Sequence, residues 1–190
     1  LRVKVVFSLS EDNALKIEYF ATSTKETVCN LTNHAYFNIG GQETILGHEL
    51  MIKSRRMTKV DTQLIPHGEY EEIDNTAYSF YQPKLLGKDM FADAEMIQHC
   101  KGYDFNYCIE RETEHELELC ATVYDPETGR KMDCLTTLPG VQLYTANKNG
   151  GFKGKKEYVN HCALCLETQG YPNSPNCPQY PSTELKAGDT

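Results

Sequence analysis

The sequence has no tryptophan, no long apolar run, no internal repeat and no excess of positive charge. Its large side chains come instead from 12 tyrosines and 7 phenylalanines. No apolar stretch approaches the ~20 residues of a membrane-spanning helix, and no secretory signal peptide is visible. A net charge of −8 argues against nucleic acid as a partner, since phosphate binding needs a basic surface. Helical periodicity is scarce. The best stretch is Lys88 to Gln98, and it is short. The glycine- and lysine-rich stretch from Asn147 to Lys156 fails the P-loop pattern, because Gly154-Lys155 is followed by Lys156 rather than Ser or Thr. It reads as a solvated loop.

At 190 residues the expectation is one domain, residues 1–190, with ample length for a core. The chain opens on the strand-like run Leu1-Arg2-Val3-Lys4-Val5-Val6-Phe7, with no initiator methionine. That start predicts a domain incomplete at its N-terminus. Eight cysteines are present, at 29, 100, 108, 120, 134, 162, 165 and 177. Most sit in strand-like runs, where a free thiol behaves as a small buried hydrophobe, and a core of this size needs no disulfides. Reduced thiols and a cytoplasmic setting are expected. Cys162-Ala163-Leu164-Cys165 lacks a second pair at zinc-ribbon spacing, and residues three apart on a strand face opposite ways, so chance packing outweighs metal binding.

Period-two alternation recurs along the chain and predicts many short strands. Leu1, Val3, Val5, Phe7 and Leu9 share a face; Glu11-Asp12-Asn13 turns the chain; Leu15, Ile17, Tyr19 and Ala21 resume the pattern. Leu117, Leu119, Ala121 and Val123 alternate in the same way, with a reverse turn at Asp125 to Gly129 and a return strand through Met132, Cys134 and Thr136. Val141 to Thr145 and Tyr158 to Thr168 read as further strands. Short strands joined by Pro, Gly, Asn and Asp turns point to an all-β sandwich or barrel.

The densest chemistry lies in Asn30-Leu31-Thr32-Asn33-His34-Ala35-Tyr36-Phe37-Asn38. Extended, this segment places Asn30, Thr32, His34 and Tyr36 on one face and Leu31, Ala35 and Phe37 on the other. A polar, aromatic front suits a groove for a polyhydroxylated ligand, and histidine adds a proton-transfer group. Asn30-Leu31-Thr32 also fits the N-glycosylation pattern, which its place in a structured strand makes a chance match. Near the C-terminus, Cys165-Leu166-Glu167-Thr168-Gln169 runs into Tyr171 to Pro181, a loop with four prolines. A strand that ends in a carboxylate beside a stiff loop is a good mount for a functional acid. The blander reading is a tail over a sheet edge.

Together these segments resemble the aldose 1-epimerases, the galactose mutarotase family. Residues 30–38 look like the family's histidine signature, and Gly102-Tyr103-Asp104 like its Gly-aromatic-Asp segment. Pro139 to Thr145 looks like its glutamine strand, and Leu166-Glu167-Thr168-Gln169 with Tyr171 to Asn176 like its glutamate strand and loop. The resemblance implies a large antiparallel β-sandwich that interconverts the α and β anomers of free hexoses without a cofactor or a metal. It implies His34 as general acid, Glu167 as general base, and Asp104 and Gln142 as holders of sugar hydroxyls. Two departures stand out. The family carries a further histidine and an arginine upstream of this region, and Phe105 follows Asp104 where histidine is common.

The chemistry suits these residue types. Ring opening needs one proton onto the ring oxygen and one off the anomeric hydroxyl. An acid and a base acting together, set here on opposite sides of a pyranose-sized gap, avoid building a full charge on either oxygen, each worth about 10²–10⁴ in rate. Imidazole titrates near 6.5, so it serves either role. Glutamate, near 4.3, becomes a better base if Ala163 and Cys165 wall it from water. Tyr36 or Tyr144 would pack on the sugar's C–H face. Each residue also has a plainer role: His34 a hydrogen-bonded strand histidine, Asp104 a turn former, Gln142 a backbone partner, Glu167 an exposed charge. His161 is read as structural. The alternatives to an epimerase are a carbohydrate-binding module without turnover and a purely structural domain.

Overall fold

The computed structural model describes residues 1–189. Its strands, in chain order, are β1 Arg2–Leu9, β2 Leu15–Thr22, β3 Thr27–Val28, β4 Glu49–Ile52, β5 Arg56–Val60, β6 Pro66–Glu72 and β7 Lys84–Leu85. After one helix, α1 Glu95–Cys100, come β8 Asp104–Cys108, β9 Glu118–Tyr124, β10 Lys131–Thr136, β11 Gly140–Tyr144, β12 Cys165–Gln169 and β13 Glu184–Leu185. Each pairing between these strands is antiparallel. Two sheets carry the fold, one of order β10-β9-β4-β7 and one of order β12-β11-β8-β5-β6. Their inner faces share one buried cluster, to which the first sheet gives Leu50, Ile52 and Val123 and the second Met57, Phe105 and Leu143. The architecture is the expected β-sandwich. Among the described residues no helix is long and apolar enough to cross a membrane.

Both hairpins legible in the sequence form. β1 and β2 pair in register from Arg2 opposite Thr22 to Leu9 opposite Leu15, which stacks Val5 on Tyr19 and Phe7 on Ile17 as the alternation requires. The hairpin is a two-stranded sheet of its own, and its apolar residues stay open to solvent, with Phe7 60% and Leu9 79% exposed. β9 and β10 pair around the turn at Asp125, whose carboxylate accepts from the Thr128 backbone amide and hydroxyl.

Three expectations need correction. The helix is six residues, Glu95–Cys100, not Lys88 to Gln98. A 3-10 turn occupies Leu86–Lys88, and Lys101 closes α1 in the left-handed conformation. The strand expected from Tyr158 starts only at Cys165, because Asn160–Cys162 forms a turn with His161 at φ 60°. Residues 30–38 hold no strand ladder beyond one bridge, Phe37 to Leu164. Their alternation survives even so: Asn30, Thr32, His34 and Tyr36 are exposed, while Leu31, Asn33, Ala35 and Phe37 are half-buried.

The core of the second sheet is aromatic, and its hydroxyls are satisfied. Tyr103 donates to the Ala77 carbonyl at 3.0 Å, and Tyr107 to that of Tyr78 at 2.8 Å. An unmet buried hydroxyl would cost about 1–3 kcal/mol. All eight cysteines are free thiols, six of them buried.

Candidate active site

The outer face of the second sheet is polar, and antiparallel register sets its side chains in rows across the strands. Glu167 on β12 stands opposite Gln142 on β11, which stands opposite Asn106 on β8. β5 continues the row, since Met57 pairs with Tyr107 and Thr58 therefore stands beside Asn106. The next row holds Cys165, Tyr144 and Asp104. Period-two geometry puts Leu143, Phe105 and Leu166 on the core side of the same strands. Except for Cys165, the residues of these rows line a cavity of about 380 Å³, and His34 lines it with them.

His34 reaches this row from outside the sheet. The Phe37–Leu164 bridge sets segment 30–38 antiparallel to β12, so three residues out on each side His34 comes opposite Glu167. Nε2 of His34 lies 3.3 Å from Oε1 of Glu167, with the imidazole half-exposed and the carboxylate mostly covered. The His34 ring stacks on Tyr36, centroids 5.1 Å apart, and meets Tyr144 edge-on at 6.0 Å. The acid and base expected across a pyranose-sized gap are thus direct neighbours. The ring and anomeric oxygens of a hemiacetal are bonded to one carbon, so neighbouring groups are what two such oxygens require.

Burial raises the Glu167 carboxyl above the ordinary range; the His34 charge opposes that shift and Asp104 reinforces it. Asp104 is also raised by burial, against the hydrogen bond from Gln142 and the charges of His34 and Lys148. The negative charge of Asp104 thus makes Glu167 harder to ionise than it would be alone.

Gln142 donates from Nε2 to Oδ1 of Asp104 at 2.8 Å. Its orientation is set by Gln169, whose Nε2 donates to Oε1 of Gln142 at 3.4 Å and to Oδ1 of Asn106 at 3.1 Å. An amide chain therefore runs from Asn106 through Gln169 and Gln142 to Asp104. Asn106 keeps its Nδ2, and Thr58 its Oγ1, buried without a partner. Gln169 and Asn106 were not singled out by the sequence, although Gln169 sits two residues from Glu167 on the same strand face. His99, which no sequence pattern marks, also lines the cavity, as do Asn147 and Lys148, so the stretch read as a solvated loop begins inside the site.

Asp104 is held by the turn before it. Gly102 sits at φ 144°, and its amide donates to the carbonyl of Ile97 within α1. The Tyr103 amide donates to the Thr145 hydroxyl at 2.9 Å, and Asn147 donates to the Tyr103 carbonyl at 3.0 Å.

The amides of residues 30–38 do not face the cavity as a polar front. Asn30 clamps the Gly170 backbone in both directions, accepting its N–H at 2.8 Å and donating to its carbonyl at 2.9 Å. Asn33 accepts from the Ala35 amide, and Asn38 donates to the carbonyls of Gln42 and Cys162. Fixing an irregular backbone consumes them and leaves His34 and Tyr36 as the chemical front. The proline-rich loop folds back to the second sheet: Asn173 donates to the Pro66 carbonyl, Tyr180 to that of Glu69, and Pro172 lines the cavity. It both covers β6 and closes one end of the site. His161 is buried, with Nδ1 3.0 Å from the Thr145 carbonyl.

The family model described as aldose 1-epimerase matches residues 1–190. Galactose mutarotase of Sus scrofa is 38% identical over 194 residues, covering all of this chain and 54% of that protein. Aldose 1-epimerase of Escherichia coli K12 is 30% identical, covering all of this chain and 56% of that protein. The chain thus spans about half the length of the curated relatives it matches. Among solved structures, a GalM/aldose epimerase homologue from C. elegans superposes with a TM-score of 0.85 at 26% identity, over 98% of this chain and 56% of that one.

Proposed function

This chain belongs to the aldose 1-epimerase family, and on that premise we propose that it carries the acid–base pair of an enzyme that interconverts the α and β anomers of free hexoses such as galactose and glucose. The carrying observation is the 3.3 Å approach of His34 to Glu167, both of which line the cavity.

In this reading His34, protonated, gives its proton to the ring oxygen while Glu167 takes the proton of the anomeric hydroxyl. The C1–ring oxygen bond breaks, and the open aldehyde rotates about C1–C2. Closure on the other face reverses both transfers, with Glu167 returning its proton to the new hydroxyl oxygen and His34 recovering its own. Burial supports Glu167 as base, because a raised carboxyl has a stronger hold on the proton it must take. Asp104, oriented by Gln142, accepts from sugar hydroxyls through charge-assisted bonds. Tyr36 and Tyr144 offer ring surface to the C–H face of the pyranose. No step calls for a cofactor. A cytoplasmic setting belongs to the same reading and is supported by the eight free thiols.

The test is polarimetry on freshly dissolved α-galactose with the natural full-length protein. The expected result is accelerated approach to the equilibrium rotation. An unaltered rate with folded protein would overturn the assignment.

A further inference from the structure

Cys165 carries no proton in the acid–base reading, yet its thiol stands among the groups that do. One ligand atom from each of His34, Cys165 and Glu167 lies within 4.8 Å of the other two. We infer that these three side chains form a binding site for a borderline-soft divalent cation of the Zn²⁺ type, which enters the cavity in competition with the sugar. The cation is a foreign ligand here and not a resident cofactor.

The donor set selects the metal. Thiolate, imidazole and carboxylate together suit zinc, whereas calcium and magnesium prefer all-oxygen shells. Zinc bonds of about 2.0–2.3 Å set the ligand atoms of a tetrahedral centre roughly 3.3–3.8 Å apart. His34 Nε2 and Glu167 Oε1 already stand at 3.3 Å. Cys165 and Glu167 are fixed two residues apart on one face of β12. The remaining closure is on the order of 1 Å, and the half-exposed His34 can supply it. Its side chain is the most exposed of the three and so is the arm with room to move. Asp104 adds negative charge in the next row and favours a cation. Cys162 is not part of the cluster, so the C-x-x-C spacing plays no role.

Loading replaces the S–H bond of Cys165 by a sulfur–metal bond and releases the proton to solvent, with no change of oxidation state. The metal then occupies the nitrogen lone pair of His34 and a carboxylate oxygen of Glu167, which removes both proton carriers at once. That inhibitory consequence rests on the proposed function, while the binding does not.

The experiment titrates the protein with Co²⁺ as a spectroscopic reporter and displaces it with Zn²⁺. A single equivalent of Co²⁺ is expected to give a thiolate-to-cobalt charge-transfer band that Zn²⁺ abolishes. Cys165→Ser removes the band. It weakens Zn²⁺ binding by at least the roughly 10–100-fold that loss of a ligand's hydrogen-bond partner costs. His34→Gln, at an exposed position that spares the core, keeps the band and weakens Zn²⁺ binding. No thiolate band, a band that survives in Cys165→Ser, or an affinity indifferent to His34→Gln would each overturn the site. A band that follows Cys165 in a protein without anomer exchange would uphold the site and remove the epimerase reading alone.

Discussion

Phe37 and Leu164 exchange two backbone hydrogen bonds, of 2.8 and 2.9 Å, and this one antiparallel bridge decides which side chains can meet. Three residues beyond it on either strand stand His34 and Glu167, and one residue beyond stand Tyr36 and Cys165. A slip of one residue would turn His34 to the far side of its segment, because side chains alternate with period two. The Asn30 clamp on Gly170 holds the other end of the same register.

Under the proposed function, replacing either member of the His34–Glu167 pair should separate turnover from binding. His34→Asn and Glu167→Gln are each expected to slow anomer exchange by about 10²–10⁴-fold, while galactose still binds through Asp104 and Gln142. NMR exchange spectroscopy between anomers reads the first quantity and chemical-shift titration the second. A variant that exchanges at the wild-type rate would remove that residue from the mechanism.

Gln169→Leu leaves the proton carriers in place and frees Gln142 to turn its amide. Sugar binding is expected to weaken by about 0.5–1.5 kcal/mol, the net worth of one hydrogen bond. The change should fall on KM with kcat nearly constant. Equal losses in both parameters would mean that Gln169 acts on the reacting atoms and not through Asp104.

The pH dependence follows from Glu167. As a base it must be ionised, and burial raises its carboxyl, so the acid limb of the rate profile should lie above the ordinary glutamate value of about 4.3. Stability moves the opposite way. The folded protein holds this proton more tightly than the unfolded chain does. Its contribution is therefore fully present below the unfolded value and is lost as pH rises through the raised folded value. Glu167→Gln should remove that loss and make the protein more stable at neutral pH, as measured by urea unfolding across a pH series. A less stable variant at pH 7 would show that contact with His34 outweighs the cost of burial.

Gly102→Ala tests the turn that aims Asp104. At φ 144°, an added Cβ would lie 2.2 Å from Oδ1 of Asn147 and 2.8 Å from Oγ1 of Thr145, the two side chains that hold Tyr103. Overpacking of this kind costs about 1–3 kcal/mol, and sugar affinity should fall with it. Gly47→Ala, which meets nothing within 4 Å, is the control and should change the denaturation midpoint little.

Local pattern carried a good part of the fold. The β1–β2 and β9–β10 hairpins were legible because alternation and turn residues act between near neighbours. β4, β5, β6 and β8 carry no such signal, since their short runs mix charged or polar residues with apolar ones over too few positions for a clear alternation. The strand drawn from Tyr158 failed at His161, whose left-handed backbone no periodicity announces.

The sequence by itself determined the kinds of group available: an imidazole on an alternating segment, a carboxylate at the end of a strand, a glutamine and an aspartate on two others. Their chemistry is a local property, so it could be read from residue type and spacing. Only the tertiary structure decided that Glu167, Gln142 and Asn106 form one row, that His34 joins it through a single bridge, that the asparagines of residues 30–38 serve the backbone, and that Gln169 orients Gln142. Each of these depends on the register between segments far apart in the chain. That register is set by hydrogen bonding and packing across the whole sandwich, which no stretch of sequence contains alone.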